Sequence, residues 1–151
     1  MTNYVIDENV IMESIHGKKP DGSNADAEAE LMYKILGGKD HIWINEEIAK
    51  KIYNISRKIR NEHSEKDLNN RIYKRLIQVM QDSTRTSYTH GKLVDFKGPK
   101  KCDKQFVNVA IQSNSILVTA DDKIKGPVKN GGPVVSKCIC RTAKEVLENI
   151  V

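Results

Sequence analysis

The chain has 151 residues, of which 38% are hydrophobic and 30% charged, and it carries a formal net charge of +5. That length buries one core, so the expectation is a single globular domain over 1–151. No apolar run approaches the roughly 18 residues of a membrane-spanning helix, which leaves no membrane partner to expect.

The N-terminus does not join a basic region, an apolar stretch and a small-residue cleavage site, so the expected compartment is the cytoplasm. Cys138 and Cys140 form one C-x-C and Cys102 stands apart. With His16, His41, His63 and His90 scattered, neither a disulfide framework nor a zinc site is expected, and the cysteines read as packing residues. The positive balance suits a polyanionic partner without specifying one.

Taken in chain order, Asn3-Tyr4-Val5-Ile6 reads as a buried strand ending at Asp7, followed by a short helix over Asn9–Ile15. Gly17–Asn24 reads as a loop. Asp26–Leu36 reads as a helix with Leu31, Ile35 and Leu36 on its apolar stripe and Gly37-Gly38 as its stop. His41–Ile44 is a second strand. Asn45 then caps a helix that runs toward Arg60, with Glu46 and Glu47 in the first turn, where carboxylates interact favourably with the helix dipole.

Asp67 suits the cap of the next helix, whose stripe is Leu68, Ile72, Leu76, Val79 and Met80. Ser83–Lys101 reads as polar loop with a short strand at Leu93-Val94. Asp103 opens a helix that buries Phe106, Val107, Val109, Ala110 and Ile111, and Ile116–Thr119 is a third buried strand leading to Asp121-Asp122. Gly126–Pro133 reads as loop and Pro133–Cys140 as an edge strand. Thr142 caps a last helix, Ala143–Ile150. Strands alternating with helices imply a mainly parallel central sheet flanked by helices on both faces, which binds ligands beyond the carboxyl ends of its strands. Asp7 and Asp121 fall at such ends.

Three stretches, in order, resemble the PIN-domain family of metal-dependent ribonucleases: Tyr4-Val5-Ile6-Asp7-Glu8-Asn9-Val10; Asp103 opening a helix with Phe106 and Ala110 on one face; and Ile116-Leu117-Val118-Thr119-Ala120-Asp121, an apolar strand closing in Thr-x-Asp. The resemblance spans nearly the whole chain and implies a three-layer PIN-like α/β domain. It also implies an endoribonuclease that uses Mg2+ or Mn2+, hard cations that take oxygen ligands. On it, Asp7 is the central metal ligand, with Asp103 and Asp121 as direct or water-mediated ligands. Asn9 and Thr119 are hydrogen-bonders that orient the carboxylates, and Asp122 is a further nearby acid.

The chain departs from the family at one place. Where the family has an acid on the helix after the second strand, this sequence has Lys50 or Lys51, so Glu46 and Glu47, or else Glu28 or Glu30, are the candidates to complete the metal set. Lys100, Lys101 and Lys104 flank Asp103 and are the expected RNA contacts; a further basic set, Lys50, Lys51, Arg57, Lys58, Arg60, Arg71, Lys74 and Arg75, is equally read as a solvated helix face. The partners to expect are RNA, an antitoxin if the chain is the nuclease of a toxin–antitoxin pair, and a second copy in a homodimer. The alternative is a non-catalytic RNA-binding or assembly module that has lost part of the acidic site. A phosphate-handling protein of receiver type is a third reading, but it leaves Asp103 and the Thr-x-Asp stretch without a role.

Overall fold

A computed structural model describes residues 1–62, 70–91, 101–120, 122–129 and 137–149, with backbone alone at 56, 58–62, 70, 101–103, 122–123, 126 and 149. The elements run β1 (Asn3–Ile6), α1 (Glu8–His16), α2 (Asp26–Gly37), β2 (His41–Ile44), α3 (Glu46–Glu62), α4 (Asn70–Met80), β3 (Thr86–Tyr88), α5 (Lys101–Ser113), β4 (Ile116–Val118), α6 (Asp122–Lys129), β5 (Ile139–Arg141) and α7 (Ala143–Asn149). The five strands form one sheet in the order β3-β2-β1-β4-β5, and every pairing is parallel.

This order fixes where a site can sit. From β1 the chain steps outward to β2 and β3, then crosses back to β4 and steps outward the other way to β5. Because parallel crossovers are right-handed, the connections through α1–α4 lie on one face and those through α5 and α6 on the other. The reversal falls between β1 and β4, which pair Tyr4 with Ile116, Val5 with Leu117 and Ile6 with Val118. The connections leave β1 and β4 toward opposite faces, so the crevice opens at their carboxyl ends. On one face α1, α2 and α4 pack on one another and α7 packs on α2; on the other, α5 lies across β1, β2 and β4.

The central strands β1 and β4 are buried on both faces and therefore read as near-continuous apolar runs: Tyr4, Val5 and Ile6 are all buried, as are Leu117 and Val118. The helices contribute Val10, Ile11 and Ile15 from α1, Leu31, Met32, Ile35 and Leu36 from α2, Ile48, Ile52 and Ile55 from α3, and Phe106, Val107, Val109 and Ala110 from α5. Helix ends are tied explicitly. Gly17 closes α1 at φ 74°, a conformation glycine adopts without Cβ strain, and its N–H donates to Glu13 O at 2.8 Å. The carboxyl end of α2 has no such turn. Two arginines from elsewhere take its orphan carbonyls: Arg85 Nη2 donates to Ile35 O (2.7 Å) and Arg75 Nε to Leu36 O (3.3 Å).

Several expectations are corrected. The third parallel strand on the β2 side is Thr86–Tyr88, inside the stretch read as loop, while Leu93-Val94 lies outside the described residues, as does Asp67. Thr86 is held there by its hydroxyl, which donates to Val79 O at 2.7 Å, so side-chain bonding rather than apolar patterning places this edge strand. The loop read from Gly126 is helical to Lys129, with Pro127 inside α6. Proline costs a helix interior about 3 kcal/mol, and the helix persists because Ile124 and Val128, one turn apart, are both buried. The edge strand expected over Pro133–Cys140 is, among the described residues, Ile139–Arg141. Within Gly17–Asn24 the chain makes a small hairpin, bridged at Lys18 and Asn24 and turned at Gly22.

Helix α7 opens with a reciprocal cap: Glu145 N–H donates to Thr142 Oγ1 (3.2 Å) and Thr142 N–H donates to Glu145 Oε1 (2.9 Å). Lys125 Nζ of α6 donates to the same carboxylate oxygen at 2.6 Å. The lysine, first, and the Thr142 amide hold the Glu145 carboxyl down to about 2 from its ordinary 4.5. A depressed carboxylate contributes stability above its unfolded value and loses it as pH falls through the folded one. Thermal melts should therefore show the wild-type advantage over Glu145→Gln constant above about pH 5 and vanishing toward pH 2. A difference that did not shrink on acidification would refute this account of the cap.

Candidate metal centre at the carboxyl ends of β1 and β4

Asp7 sits at the junction of two elements. Its N–H donates to Val118 O (2.9 Å), extending the β1–β4 ladder by one residue, and its carbonyl accepts from Val10 and Ile11 at the start of α1. It occupies the N-cap position of α1 in extended conformation, yet its side chain makes no cap hydrogen bond. The carboxylate turns the other way: Thr119 Oγ1 donates to Asp7 Oδ2 at 2.8 Å. Asp7 is 2% exposed and Thr119 0%. A buried carboxylate is costly without polar partners, and this hydroxyl supplies one while fixing the carboxylate's direction. Thr119 is itself held by its N–H donating to Arg141 O of β5 at 2.9 Å.

Beside this pair is a cleft of about 680 Å3 lined by Asn9, Met12, Glu13, His16, Lys18, Lys19, Pro20, Asp21 and Ala120. Asn9, Met12, Glu13 and His16 recur at helical spacing, so they are one face of α1; the opposite face buries Val10, Ile11, Ser14 and Ile15. The hairpin after α1 makes the facing wall. Its fold is local: Lys19 N–H donates to Ser23 O, Gly22 N–H to Lys19 O, and Asp21 accepts both the N–H and hydroxyl of Ser23. The result is a fixed position for Lys19, whose Nζ lies 3.3 Å from Glu28 Oε1.

Glu28, on the first turn of α2, is 4% exposed, and its other oxygen, Oε2, is buried with no hydrogen-bond partner; Glu13 Oε2 is in the same condition. Glu13 feels its neighbours. Burial, above all, and then the negative charges of Glu28, Asp7 and Asp21 push its carboxyl above the ordinary 4.5, with Lys19 opposing. Asp7, Glu13 and Glu28 are thus electrostatically coupled carboxylates around one end of the sheet, moderated by one lysine.

The other wall of the crevice is built by α3 and α5. Asn45 caps α3, its Oδ1 accepting from Ile48 N–H at 2.9 Å, and its Nδ2 donates to the buried Gln105 Oε1 of α5 at 2.8 Å. Lys51 places its Nζ 5.2 Å from the centre of the Phe106 ring. These two contacts bring the first turns of α3 and α5 together beyond β2.

The residues singled out in the sequence are distributed as follows. Asp7 and Thr119 are joined by a hydrogen bond, and Asn9 lines the adjoining cleft. Asp103 is the third residue of α5 and Asp122 the first of α6, each described by its backbone alone, and Asp121 lies outside the described residues; so does Lys100, while Lys101 opens α5 with backbone only. Lys104 is half-buried. Glu46 and Glu47 are exposed on the first turn of α3, and Glu46 stands near Tyr88. Of the two acids considered on α2, Glu28 is buried and turned toward Lys19, whereas Glu30 is exposed and pairs along the helix with Lys34 at 3.8 Å. Among the described residues no group of three or more His, Cys, Asp or Glu side chains is arranged to hold a metal ion.

Glu13, Lys19 and Gln105 were not among the candidates drawn from the sequence. Glu13 carried a signal: it follows Asn9 by one helical turn, on the same face. Lys19 and Gln105 carried none, because a hairpin and a helix–helix contact place them. Comparison with known proteins finds no matching family model, no matching curated protein and no matching solved structure.

Because the Glu13 carboxyl is raised, the ionised form costs stability at every pH above its folded value, and that cost disappears below the ordinary 4.5. Glu13→Gln should raise the melting temperature of the metal-free protein at neutral pH by ~2 °C, the gain fading on acidification. A lower melting temperature at neutral pH would show that the three carboxylates do not oppose one another.

Proposed function

We propose that the chain is a metal-dependent endoribonuclease whose chemistry takes place at the carboxyl ends of β1 and β4. The observation that supports it most is the buried Asp7 carboxylate that Thr119 orients at the carboxyl ends of β1 and β4; Glu13 and Glu28, which are not arranged with it as a metal-holding group, each keep one buried oxygen without a partner among the described residues. Buried polar atoms without partners are rare, and hard anionic oxygens left in this state fit a Mg2+ or Mn2+ ion. Asp7 would hold it, with Asp103 and Asp121 contributing by their resemblance to the PIN-domain pattern and Glu13 or Glu28 standing where the usual acid on α3 is replaced by lysine. When bound, such an ion would supply a water of lowered pKa and neutralise charge on the scissile phosphate.

The chain's own residues do the rest. The Thr119 hydroxyl donates to Asp7 Oδ2 and so fixes the direction of the carboxylate. Lys18 and Lys19 line the cleft and bring positive charge to an otherwise acidic wall, where a polyanion must approach. Lys51 and Lys104 hold cations near the first turns of α3 and α5, with Lys100 and Lys101 adjacent in sequence. The cytoplasm is the compartment we infer, and a toxin held by an antitoxin is the biological setting that such a nuclease would fit. No helix among the described residues is long and apolar enough to cross a membrane.

A second reading is favoured by the lysines on α3 and by the exposed Glu46 and Glu47: a PIN-like module that binds RNA without cutting it. One experiment separates the two. Structured RNA is incubated with wild type and Asp7→Asn, with and without magnesium or manganese, and both cleavage and retention are followed. The nuclease reading expects metal-dependent cleavage that falls by about 10²-fold or more in Asp7→Asn, with binding retained. Intact RNA bound equally by both proteins, with or without metal, would establish the binding module instead.

A further inference from the structure

The C-x-C of β5 is built differently from a pair of packing cysteines. Cys138 lies on the bend just before the strand and Cys140 within it, and their sulfurs are 3.9 Å apart on one side of the sheet, while Ile139 between them points outward and is 46% exposed. Residues two apart on a strand have Cα atoms about 6.6 Å apart, at the upper end of the range a disulfide spans. The bend at Cys138 is what brings the two sulfurs toward each other. Both residues are buried but keep a small exposure, 8% and 7%, on the edge strand of the sheet. Two cations stand by: Lys125 of α6 and Arg141, whose Nη1 donates to Cys140 O at 3.0 Å.

From this geometry we infer that Cys138 and Cys140 form a peroxide-oxidisable dithiol, closing reversibly to a strained i,i+2 disulfide. The two cysteines have distinct roles. The two thiols share a hydrogen bond that either can donate; this bond first, and then Lys125 and Arg141, lower the Cys140 thiol, while the same bond and burial push Cys138 up. Cys140 is therefore the attacking sulfur. Its thiolate takes the near oxygen of hydrogen peroxide, the O–O bond breaks, and the far oxygen leaves as water once protonated, giving a sulfenic acid. Cys138 then loses its proton and attacks the Cys140 sulfur; the S–O bond breaks and the second oxygen leaves as water. Two thiols are oxidised and one peroxide is reduced to two waters. A bond strained by an extended strand is readily reduced again by a cellular thiol, which suits signalling rather than structure.

The sequence offers a clean assay, since trypsin cuts after Lys137 and Arg141 and releases both cysteines in one tetrapeptide free of Cys102. The native protein is treated with hydrogen peroxide, excess reagent is removed, and the peptides are weighed before and after dithiothreitol. The inference expects the tetrapeptide to lose two hydrogens and regain them on reduction. In Cys138→Ser, Cys140 should stop at a sulfenic acid that dimedone captures, about tenfold faster than Cys138 reacts in Cys140→Ser. If a serine variant does not fold, the alanine variant serves the same comparison. Both thiols unchanged while Cys102 oxidises, or direct passage to sulfinic acid with no two-hydrogen loss, would overturn it. None of these outcomes depends on whether the chain cuts RNA.

Discussion

A parallel sheet that winds outward in two directions from its middle has one place where consecutive connections part to opposite faces. In this fold that place is the end of β1 and β4, where Asp7 and Thr119 meet. The single contact on which it depends is the hydrogen bond from the Thr119 hydroxyl to the Asp7 carboxylate, which spans 112 residues of sequence and about one strand spacing in space. A charge buried to this degree must be tied from at least one side. The tie is placed on the neighbouring strand, beside the cleft that Asn9 and Ala120 line.

The carboxylates around Asp7 are held in an arrangement that gains nothing on its own. Glu13 and Glu28 each keep one oxygen buried and unsatisfied, and Lys19 engages only Glu28 directly. A buried carboxylate oxygen without a partner costs the protein stability. The hairpin that carries Lys19 is therefore part of the site although it contributes nothing to the sheet.

Much of this architecture could be read from residue order. The strands β1 and β4 announce themselves as short apolar runs with buried cores and β2 by Ile42-Trp43-Ile44, and α1, α2, α3 and α5 show helical spacing of their core residues. What escaped was held by interactions that local pattern does not encode. Thr86-Ser87-Tyr88 has no apolar run and becomes a strand through a hydroxyl bonded to Val79 O and pairing with β2. Asp122–Lys129 looks like a Gly-Pro loop and is helical because two buried residues outweigh the proline. In the site, the Asp7–Thr119 partnership was legible because each residue ends an apolar strand in a recurring order. Glu13 was not, since a lone acid on an amphipathic helix reads as solvent-facing until α2 is packed against it.

Thr119 belongs to two systems at once. Its hydroxyl orients Asp7, and its amide completes the ladder to Arg141 on β5, a strand of three residues with a neighbour on one side only. Edge segments of this kind open at free energies well below that of the whole molecule. Opening of β5 would release the amide of the residue whose hydroxyl orients the Asp7 carboxylate. The site is thus coupled to one of the sheet's less secure margins rather than to its core, and its geometry would be lost by local opening while the surrounding fold remained intact.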